Sequence, residues 1–272
     1  MIGFYCTQGL TPIRALRPGG MATLTLCLRA DGTQCVVREL LPKYRWRLKM
    51  HRRFFVGAGI RCKVAQHPNI VKSVRYGYSD EFNPCEILEY CPGENITVLA
   101  TQKSPILSKY VFQILKDSCE AIAYIHAKGY LHLDVKPENI IVWENDDHAE
   151  VRVTDFDLSL PISATRDRRK AGTPEYMAPE QLTGKRIGPE TDVFAFGVMA
   201  YFLITGKKPF TGATSDQMYT QKKNTSFIVQ EPSKITPGIA PKLNYLVMKC
   251  LERETKERFP SMPYLLQELN HL

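Results

Sequence analysis

A change of hydrophobic period near residue 100 is the feature that most constrains how this chain folds. Residues 23–29 (TLTLCLR) and 34–40 (QCVVREL) alternate in the way half-buried strands do. The Asp31–Gly32 pair between them suits a tight hairpin turn. From about residue 104, apolar side chains recur instead at helical spacing. The sequence therefore predicts an α+β fold with a small β-rich lobe followed by a larger, mostly helical lobe.

The predicted boundary between these lobes falls near residues 90–93. Residues 1–272 are expected to form one domain, with an N-terminal lobe at 13–90 and a C-terminal lobe at 94–272. Two more strands are expected within 67–78 and 85–94. One helix is expected at 45–66. A second is expected to start with Ser108 as its N-cap and to end at Gly129 in a left-handed conformation. Further helices are expected around 192–204, 242–252 and 262–270.

Positive charge is concentrated in one segment of a chain whose formal net charge is +8. Residues 43–63 contain eight Lys or Arg and no acid. Two interpretations stay open: a solvated helix face, or a docking surface for an acidic partner or a phosphorylated segment. Nucleic acid is not expected as a partner, because no aromatic-interleaved basic strand or nucleic-acid motif accompanies the charge.

Neither a membrane span nor a secretory leader is expected. No apolar run approaches the roughly 20 residues that cross a bilayer, and the first residues lack the basic head and apolar middle of a signal peptide. The predicted location is the cytoplasm. Eight cysteines without a CxxC pattern indicate reduced thiols that are buried or half-buried, rather than a zinc site or a disulfide framework.

A dense polar stretch, YLHLDVKPEN at 130–139, lies between a helix pattern and two strand patterns, IIVW and VRVTDF. The second strand runs into DFD at 155–157, and AGTPEYMAPE follows at 171–180. This order of motifs resembles the eukaryotic-type protein kinases, specifically the Ser/Thr branch that occurs in bacteria as well as in eukaryotes. The resemblance covers nearly the whole chain and is strongest in the C-terminal lobe.

The resemblance implies transfer of the γ-phosphoryl group of ATP to a Ser or Thr hydroxyl of a protein, with Mg²⁺ as the metal. Such transfer depends on positioning and on stabilisation of negative charge. Asp134 is expected to orient the hydroxyl and accept its proton, and Lys136 to reach the γ-phosphate. Asn139 and Asp155 are expected to bind Mg²⁺, which prefers hard oxygen ligands.

The same resemblance implies structural roles for five other residues. His132 is expected to be a packed, non-catalytic histidine. Thr173 is expected to hydrogen-bond near the catalytic base, and Asp192 to hold the catalytic loop through its backbone. Glu180 and Arg258 are expected to form a buried ion pair.

The nucleotide site is expected in the N-terminal lobe. Gly19 and Gly20, in LRPGGMATL, are expected to belong to a loop that covers the phosphates. Arg38 occupies the position of the family's strand-three lysine, and its planar fork is not interchangeable with an ammonium. Adenine is expected to bind backbone groups near Glu89 and Cys91.

Several positions depart from the family pattern. In the family, the strand-three cation pairs with a glutamate on the first helix, and Ala58 stands at that position here. Residues 40–66 contain no acid at all, so this partner is absent. Leu133 replaces an arginine that reads a phosphorylated activation segment. Activity is therefore not expected to depend on phosphate in residues 159–170, although Ser159, Ser163 and Thr165 are predicted to be available acceptors. Asp157 replaces the glycine of DFG.

Asp157 also suggests a compensation for the missing acid. Our hypothesis is that an Arg38–Asp157 pair takes the place of the Lys–Glu pair. The alternative is that Asp157 tolerates a left-handed turn and faces solvent.

These departures leave three functions open. Losing the Lys–Glu pair would cost roughly 2–4 kcal/mol of transition-state stabilisation, or a rate loss of about 30- to 1,000-fold, which describes a slow Ser/Thr kinase. The alternatives are a pseudokinase that serves as a nucleotide-binding or scaffolding module, and a kinase-like fold that phosphorylates a small molecule. The four retained polar residues of the catalytic and metal sites favour the kinase.

Overall fold

The computed structural model describes residues 7–17, 19–164 and 172–272. The described residues form two compact units, one from those up to residue 92 together with 155–157 and one from those in 93–154 and from 158 onwards. The first unit contains a β-sheet and the second is mainly helical, so the predicted α+β fold class is confirmed. Thr165 and the basic run at 166–170 lie outside the described residues.

The sheet of the first unit has five antiparallel strands in the order β1-β2-β3-β5-β4. Gly32 adopts φ +81° in the turn between the second and third strands, where Thr33 N donates to Asp31 Oδ1 at 2.9 Å, so the predicted hairpin is confirmed. The strands are β1 (Leu10–Ala15), β2 (Ala22–Arg29), β3 (Gln34–Leu40), β4 (Ser73–Tyr78) and β5 (Pro84–Glu89).

Helix α1 (Leu48–Val64) is the helix predicted at 45–66, and it is shorter at both ends. A 3₁₀ turn, Pro42–Tyr44, precedes it. Phe54 of α1 packs in an apolar cluster with Met21, Ala22 and Leu40. Gly57 brings the helix against backbone of the same unit, since a Cβ at this position would lie 2.7 Å from Phe156 O. No larger residue fits at Gly57 without displacing the helix.

The second unit contains a three-stranded sheet of order β6-β8-β9, a two-stranded pair β7-β10, and eight helices within the described ranges. The strands are β6 (Glu94–Asn95), β7 (Tyr130–Leu131), β8 (Ile140–Asn145), β9 (His148–Val153) and β10 (Leu160–Pro161). The helices are α2 (Ile96–Thr101), α3 (Ile106–Lys109), α4 (Val111–Ala127), α5 (Pro179–Thr183), α6 (Pro189–Thr205), α7 (Ser215–Lys223), α8 (Pro241–Cys250) and α9 (Met262–Leu269).

The ends of α4 test two predictions. Ser108 does not cap this helix: it lies inside α3, where its hydroxyl donates to Pro105 O at 3.0 Å, and Tyr110 is the N-cap without a side-chain hydrogen bond. Gly129 does adopt the predicted left-handed conformation, with φ 83°. The helices predicted near 192–204, 242–252 and 262–270 are present as α6, α8 and α9.

The cysteines differ from the prediction at two positions. Among the described free thiols, Cys62 is exposed and Cys91 is half-buried, while Cys27, Cys35, Cys119 and Cys250 are buried. Cys85 is disulfide-bonded, so reduction is the wrong state for this residue. Within the described residues, no helix is both long enough and apolar enough to cross a bilayer.

Candidate active site

The loop between β7 and β8 gathers three of the predicted site residues around one carboxylate. Lys136 Nζ donates to Asp134 Oδ2 at 2.8 Å and to Thr173 Oγ1 at 2.8 Å. Asn139 Nδ2 donates to the backbone oxygen of Asp134 at 2.7 Å and to its Oδ2 at 2.9 Å. Because both of these bonds use the amide nitrogen, Asp134 does not consume the amide oxygen of Asn139.

Asp192 of α6 holds this loop through backbone N–H groups, as predicted. Its carboxylate accepts from His132 N at 2.8 Å and from Leu133 N at 2.7 Å. His126 Nε2 lies 2.9 Å from the same carboxylate. Burial opposes ionisation of Asp192, but the hydrogen bond and charge of His126, with the backbone donor, hold its pKa below the ordinary value.

Leu133 and His132, whose backbone N–H groups bind Asp192, have structural roles in the loop. Leu133 has φ 63°, a strained value for a branched residue, and the Asp192 contacts stabilise it. His132 is fully buried, its Nδ1 accepts from Asp134 N at 3.3 Å, and its Nε2 lies 3.1 Å from Thr154 O. This pattern fits a neutral ring that carries its proton on Nε2 and has a structural role.

Leu133 packs in an apolar cluster with residues on both sides of the catalytic loop. The cluster consists of Leu131, Leu133, Leu158, Leu160 and Ile187, with Ile162 packed against it. Apolar contact therefore connects the loop to the segment after residue 157.

One predicted phosphate acceptor in that segment is wrong. Ser159 is buried, and its hydroxyl donates to His132 O at 3.1 Å. Ser163 is exposed.

The Glu180–Arg258 pair is present and bidentate. Arg258 Nη1 and Nη2 lie 2.8 and 2.9 Å from the two carboxylate oxygens, and Thr191 donates to Glu180 Oε1 at 2.8 Å. Arg258 also donates to the backbone oxygens of Glu190, Glu252 and Arg253. Both partners are buried, so this predicted pair is confirmed as a fully hydrogen-bonded network.

In the first unit, Arg38 of β3 donates a hydrogen bond through Nη2 to Asp157 Oδ2. Both side chains are more than nine-tenths buried, so the hypothesis of an Arg38–Asp157 contact is confirmed. The alternative is wrong: Asp157 does not face solvent, and Asp155, with φ 60°, takes the left-handed conformation. Burial raises the pKa of Asp157 to about 6, although the guanidinium of Arg38 acts in the opposite direction.

A second buried pair lies beside the first and was not predicted. Arg61 of α1 donates to Glu86 Oε2 of β5 at 2.6 Å, and Arg38 Nη1 lies 3.6 Å from the same oxygen. The sequence carries two signals for it. Glu86 is an acid inside an apolar strand, and Arg61 is one helical turn from Ala58 on the core face of α1.

This four-residue network retains unused hydrogen-bonding capacity. Among the residues that the structure describes, four buried atoms of this network have no hydrogen-bond partner: Arg38 Nη1, Arg61 Nε, Glu86 Oε1 and Asp157 Oδ1. Buried polar atoms are usually satisfied. A polar ligand that reached Arg38 would therefore find a guanidinium nitrogen not committed to a hydrogen bond.

The other predicted nucleotide-site residues are also in the first unit. Gly19 and Gly20 are exposed between β1 and β2, with Gly19 N donating to Ala22 O at 3.0 Å. Glu89 ends β5, where its N–H donates to Lys72 O at 3.0 Å. Cys91 is half-buried. Asp155 Oδ1 accepts from Asp157 N at 3.2 Å.

Comparison with known proteins identifies the class that these features define. The protein kinase domain model matches residues 12–269, so this chain belongs to the protein kinase family. The serine/threonine-protein kinases Pkn1 and pkn2 of Myxococcus xanthus are 29% and 28% identical to it, over 96% and 90% of this chain. Aurora kinase C of Mus musculus is 30% identical over 76% of this chain and 70% of its own length.

The relatives are not all of similar length. The chain covers 38% of Pkn1 and 30% of pkn2, and 33% of the serine/threonine-protein kinase PknB of Mycolicibacterium smegmatis. The chain thus spans about a third of the length of these relatives.

Proposed function

We propose that this chain is a serine/threonine protein kinase that transfers the γ-phosphoryl group of ATP to a protein hydroxyl. One observation carries the proposal most directly: Lys136 Nζ joins Asp134 Oδ2 to Thr173 Oγ1 while Asn139 donates to the same carboxylate. A scaffold has no need to hold a base, a cation and an amide in this arrangement. The names of the relatives support the Ser/Thr assignment.

The roles divide between the two lobes in this proposal. Residues 13–90 supply the nucleotide groups, with Gly19 and Gly20 over the phosphates and backbone near Glu89 and Cys91 for adenine. Residues 94–272 supply the catalytic loop and the substrate surface. Asp134 orients the acceptor hydroxyl and takes its proton. Lys136 places its positive charge where negative charge develops on the transferred phosphoryl group.

The residues present fit MgATP. Arg38 Nη1 is buried and has no hydrogen-bond partner in the described part of the chain, so it can donate to a phosphate oxygen. Asp155 and the amide oxygen of Asn139 are the hard donors that Mg²⁺ prefers, and this metal needs few protein ligands because it retains water. When bound, MgATP supplies the phosphoryl group and the metal charge, and these residues hold it.

The altered ion pair of the first unit supports a slow kinase. Arg38 keeps the cation of the family's strand-three lysine, and Asp157 provides the carboxylate that α1 lacks. The pair is assembled within one unit and buried, so Arg38 is held before nucleotide binds.

A pseudokinase is the second candidate, and the same network favours it. If Asp157 and Glu86 together neutralise Arg38, little positive charge is left for phosphate. The chain would then bind nucleotide weakly and act as a scaffold.

One pair of measurements distinguishes the two candidates. MgATP binding is measured by isothermal titration calorimetry, and transfer of labelled phosphate is measured on a generic basic protein with Ser and Thr acceptors. The proposal expects both binding and transfer. Asp134→Asn should lower turnover at least 100-fold, the range assigned to general base catalysis, while nucleotide affinity changes less than about 2-fold.

Glu138→Gln is the matched control, because Glu138 is an exposed carboxylate of the same loop. It should retain turnover. Nucleotide binding without transfer would support the pseudokinase, and wild-type turnover by Asp134→Asn would show that the catalytic base is misassigned.

A further inference from the structure

The net positive charge of this chain comes from one part of its sequence. Residues 1–92 contain 14 Lys or Arg and 6 Asp or Glu, whereas residues 93–272 contain 22 of each. The whole surplus of eight therefore belongs to the first 92 residues. Five of these cations lie close together in sequence, from the 3₁₀ turn into the first turns of α1, and we call them the basic surface: Lys43, Arg45, Arg47, Lys49 and Arg52.

The cations of the basic surface are not paired with acids in the described part of the chain. Within the described ranges none of its five cations forms an ion pair. Arg45 donates to a backbone oxygen, that of Glu81. A cluster of one sign without internal compensation creates a field that attracts an anionic partner.

Two large apolar side chains project from the same segment. Trp46 is 89% exposed and Leu48 is 83% exposed. Their neighbours Tyr44 and Met50 pack instead against the apolar cluster of Phe54, so the segment is anchored while Trp46 and Leu48 remain outside. Val56, two turns along α1 from Leu48, extends this exposed apolar face.

We propose that the basic surface docks onto an anionic lipid bilayer. Trp46 and Leu48 would enter the interfacial region, where aromatic and aliphatic side chains are favoured, while the flanking Lys and Arg contact lipid headgroups. In the stretch RWRLK, Trp46, Arg47, Leu48 and Lys49 are all exposed, so this segment presents cations and apolar side chains to solvent together. An acidic protein would need a pocket shaped for Trp46, whereas a bilayer accepts this side chain without one.

Vesicle co-sedimentation tests the proposal directly. The chain is mixed with vesicles of phosphatidylcholine alone or with about 30% phosphatidylserine, at low and at physiological salt. We expect binding to the anionic vesicles that weakens with salt. Each Lys or Arg near such a surface is worth about 5-fold in partitioning, so Lys43→Gln with Arg47→Gln and Lys49→Gln should lower binding about 100-fold. Trp46→Ser with Leu48→Ser should lower it at least 10-fold.

Matched controls come from exposed positions of the second unit. Lys185→Gln with Lys207→Gln and Lys223→Gln removes the same charge, and Ile228→Ser removes an apolar side chain that is 87% exposed. These variants should bind vesicles as the wild type does. All the substituted side chains are exposed, so thermal melting should show each variant folded.

Three outcomes would overturn the proposal. Equal binding to neutral and anionic vesicles is one, and equal loss in the control and test variants is another. The third is binding of a soluble acidic polypeptide under conditions in which the anionic vesicles are not bound, because it would assign the basic surface to an acidic protein. The test does not depend on kinase activity, so its result is separate from that of the proposed function.

Discussion

Two buried arginine–glutamate pairs, one in each unit, differ in how completely they are hydrogen-bonded. Arg258 and Glu180 in the second unit form two bonds with each other and several more with Thr191 and backbone oxygens. Arg61 and Glu86 in the first unit share one bond of 2.6 Å, and each retains an unsatisfied buried atom. The Arg258–Glu180 pair organises a polar network, whereas the Arg61–Glu86 pair mainly balances charge.

This difference teaches which positions of such a fold tolerate change. A pair that also satisfies backbone groups cannot be exchanged without leaving those groups unpaired. A pair that only balances charge can be redistributed among neighbouring elements. The first unit shows such redistribution, since its carboxylates come from β5 and from Asp157 rather than from α1.

Apolar replacement of both partners should show the largest contrast. Arg258→Met with Glu180→Leu should lower the free energy of unfolding by about 3 kcal/mol or more, because Thr191 and three backbone oxygens lose their partners. Arg61→Met with Glu86→Leu should change it by less than about 1 kcal/mol, since apolar residues of similar volume often replace a buried pair without loss. Urea unfolding measures both.

The single variants serve as internal controls. Arg258→Met and Arg61→Met should each cost about 3–5 kcal/mol, because each leaves a buried carboxylate without its main partner. If the two double variants were equally destabilised, the contrast between the pairs would be wrong.

The Arg38–Asp157 pair should be coupled in nucleotide binding. Arg38→Ala and Asp157→Ala should each weaken MgATP affinity by about 10-fold, or about 1.4 kcal/mol, and the double variant should be no weaker than either. A double-mutant cycle by calorimetry isolates this term. The exposed pair Lys109–Glu144 is the control and should contribute nothing to affinity. Additive losses at Arg38 and Asp157 would show that the two act separately.

Local spacing explains why the catalytic loop could be predicted. Asp134, Lys136 and Asn139 lie within six residues, so one loop conformation fixes their mutual contacts. Arg38 and Asp157 are 119 residues apart, and their contact was predictable only from charge balance: an acid is absent from α1 and an extra one is present in DFD.

Other features could not be predicted because they depend on side-chain direction or on tertiary context. Arg61 belongs to a run of cations, most of which face solvent, and only its distance from Ala58 separates it from them. Ser108 suits a helix start by residue type, but the chain forms the short helix α3 there instead. Ser159 is buried because the residues around it pack against Leu133, which its own sequence environment does not indicate.

Asp117, which is half-buried, and Asp157, which is buried, should respond in opposite ways to neutralisation. Burial raises the pKa of Asp117 to about 6, and Glu120 adds to the shift. The folded state then binds more protons than the unfolded state between about pH 4 and 6, so stability falls as pH rises through this window. Asp117→Asn should therefore stabilise the chain above pH 6, by less than about 1 kcal/mol because water screens this half-buried group, and should have no effect below pH 4.

Asp157 has a pKa raised to a similar value, but Asp157→Asn should lower stability at pH 7 because it removes the closer of the two carboxylates that pair with Arg38. Urea unfolding from pH 4 to 8 measures both variants, and the surface substitution Asp147→Asn is the control. The same sign for Asp117→Asn and Asp157→Asn at pH 7 would show that Arg38 does not depend on Asp157.

The smallest effect should come from phosphate in the segment after Asp157. In the second unit, Leu133 contacts this segment through an apolar cluster that includes Leu160 and Ile162, and an apolar contact needs no phosphate to form. Phosphatase treatment should therefore change turnover by less than about 2-fold, and Ser163→Ala and Thr165→Ala should each match the wild type. Mass spectrometry before and after treatment establishes that phosphate was removed. A large loss on treatment, reproduced by Thr165→Ala, would mean that a cation still reads a phosphate in place of the missing arginine. The run RDRRK at 166–170 would then be the first candidate for that cation. The departures from the family pattern would in that case extend from the ion pair of the first unit to the activation segment.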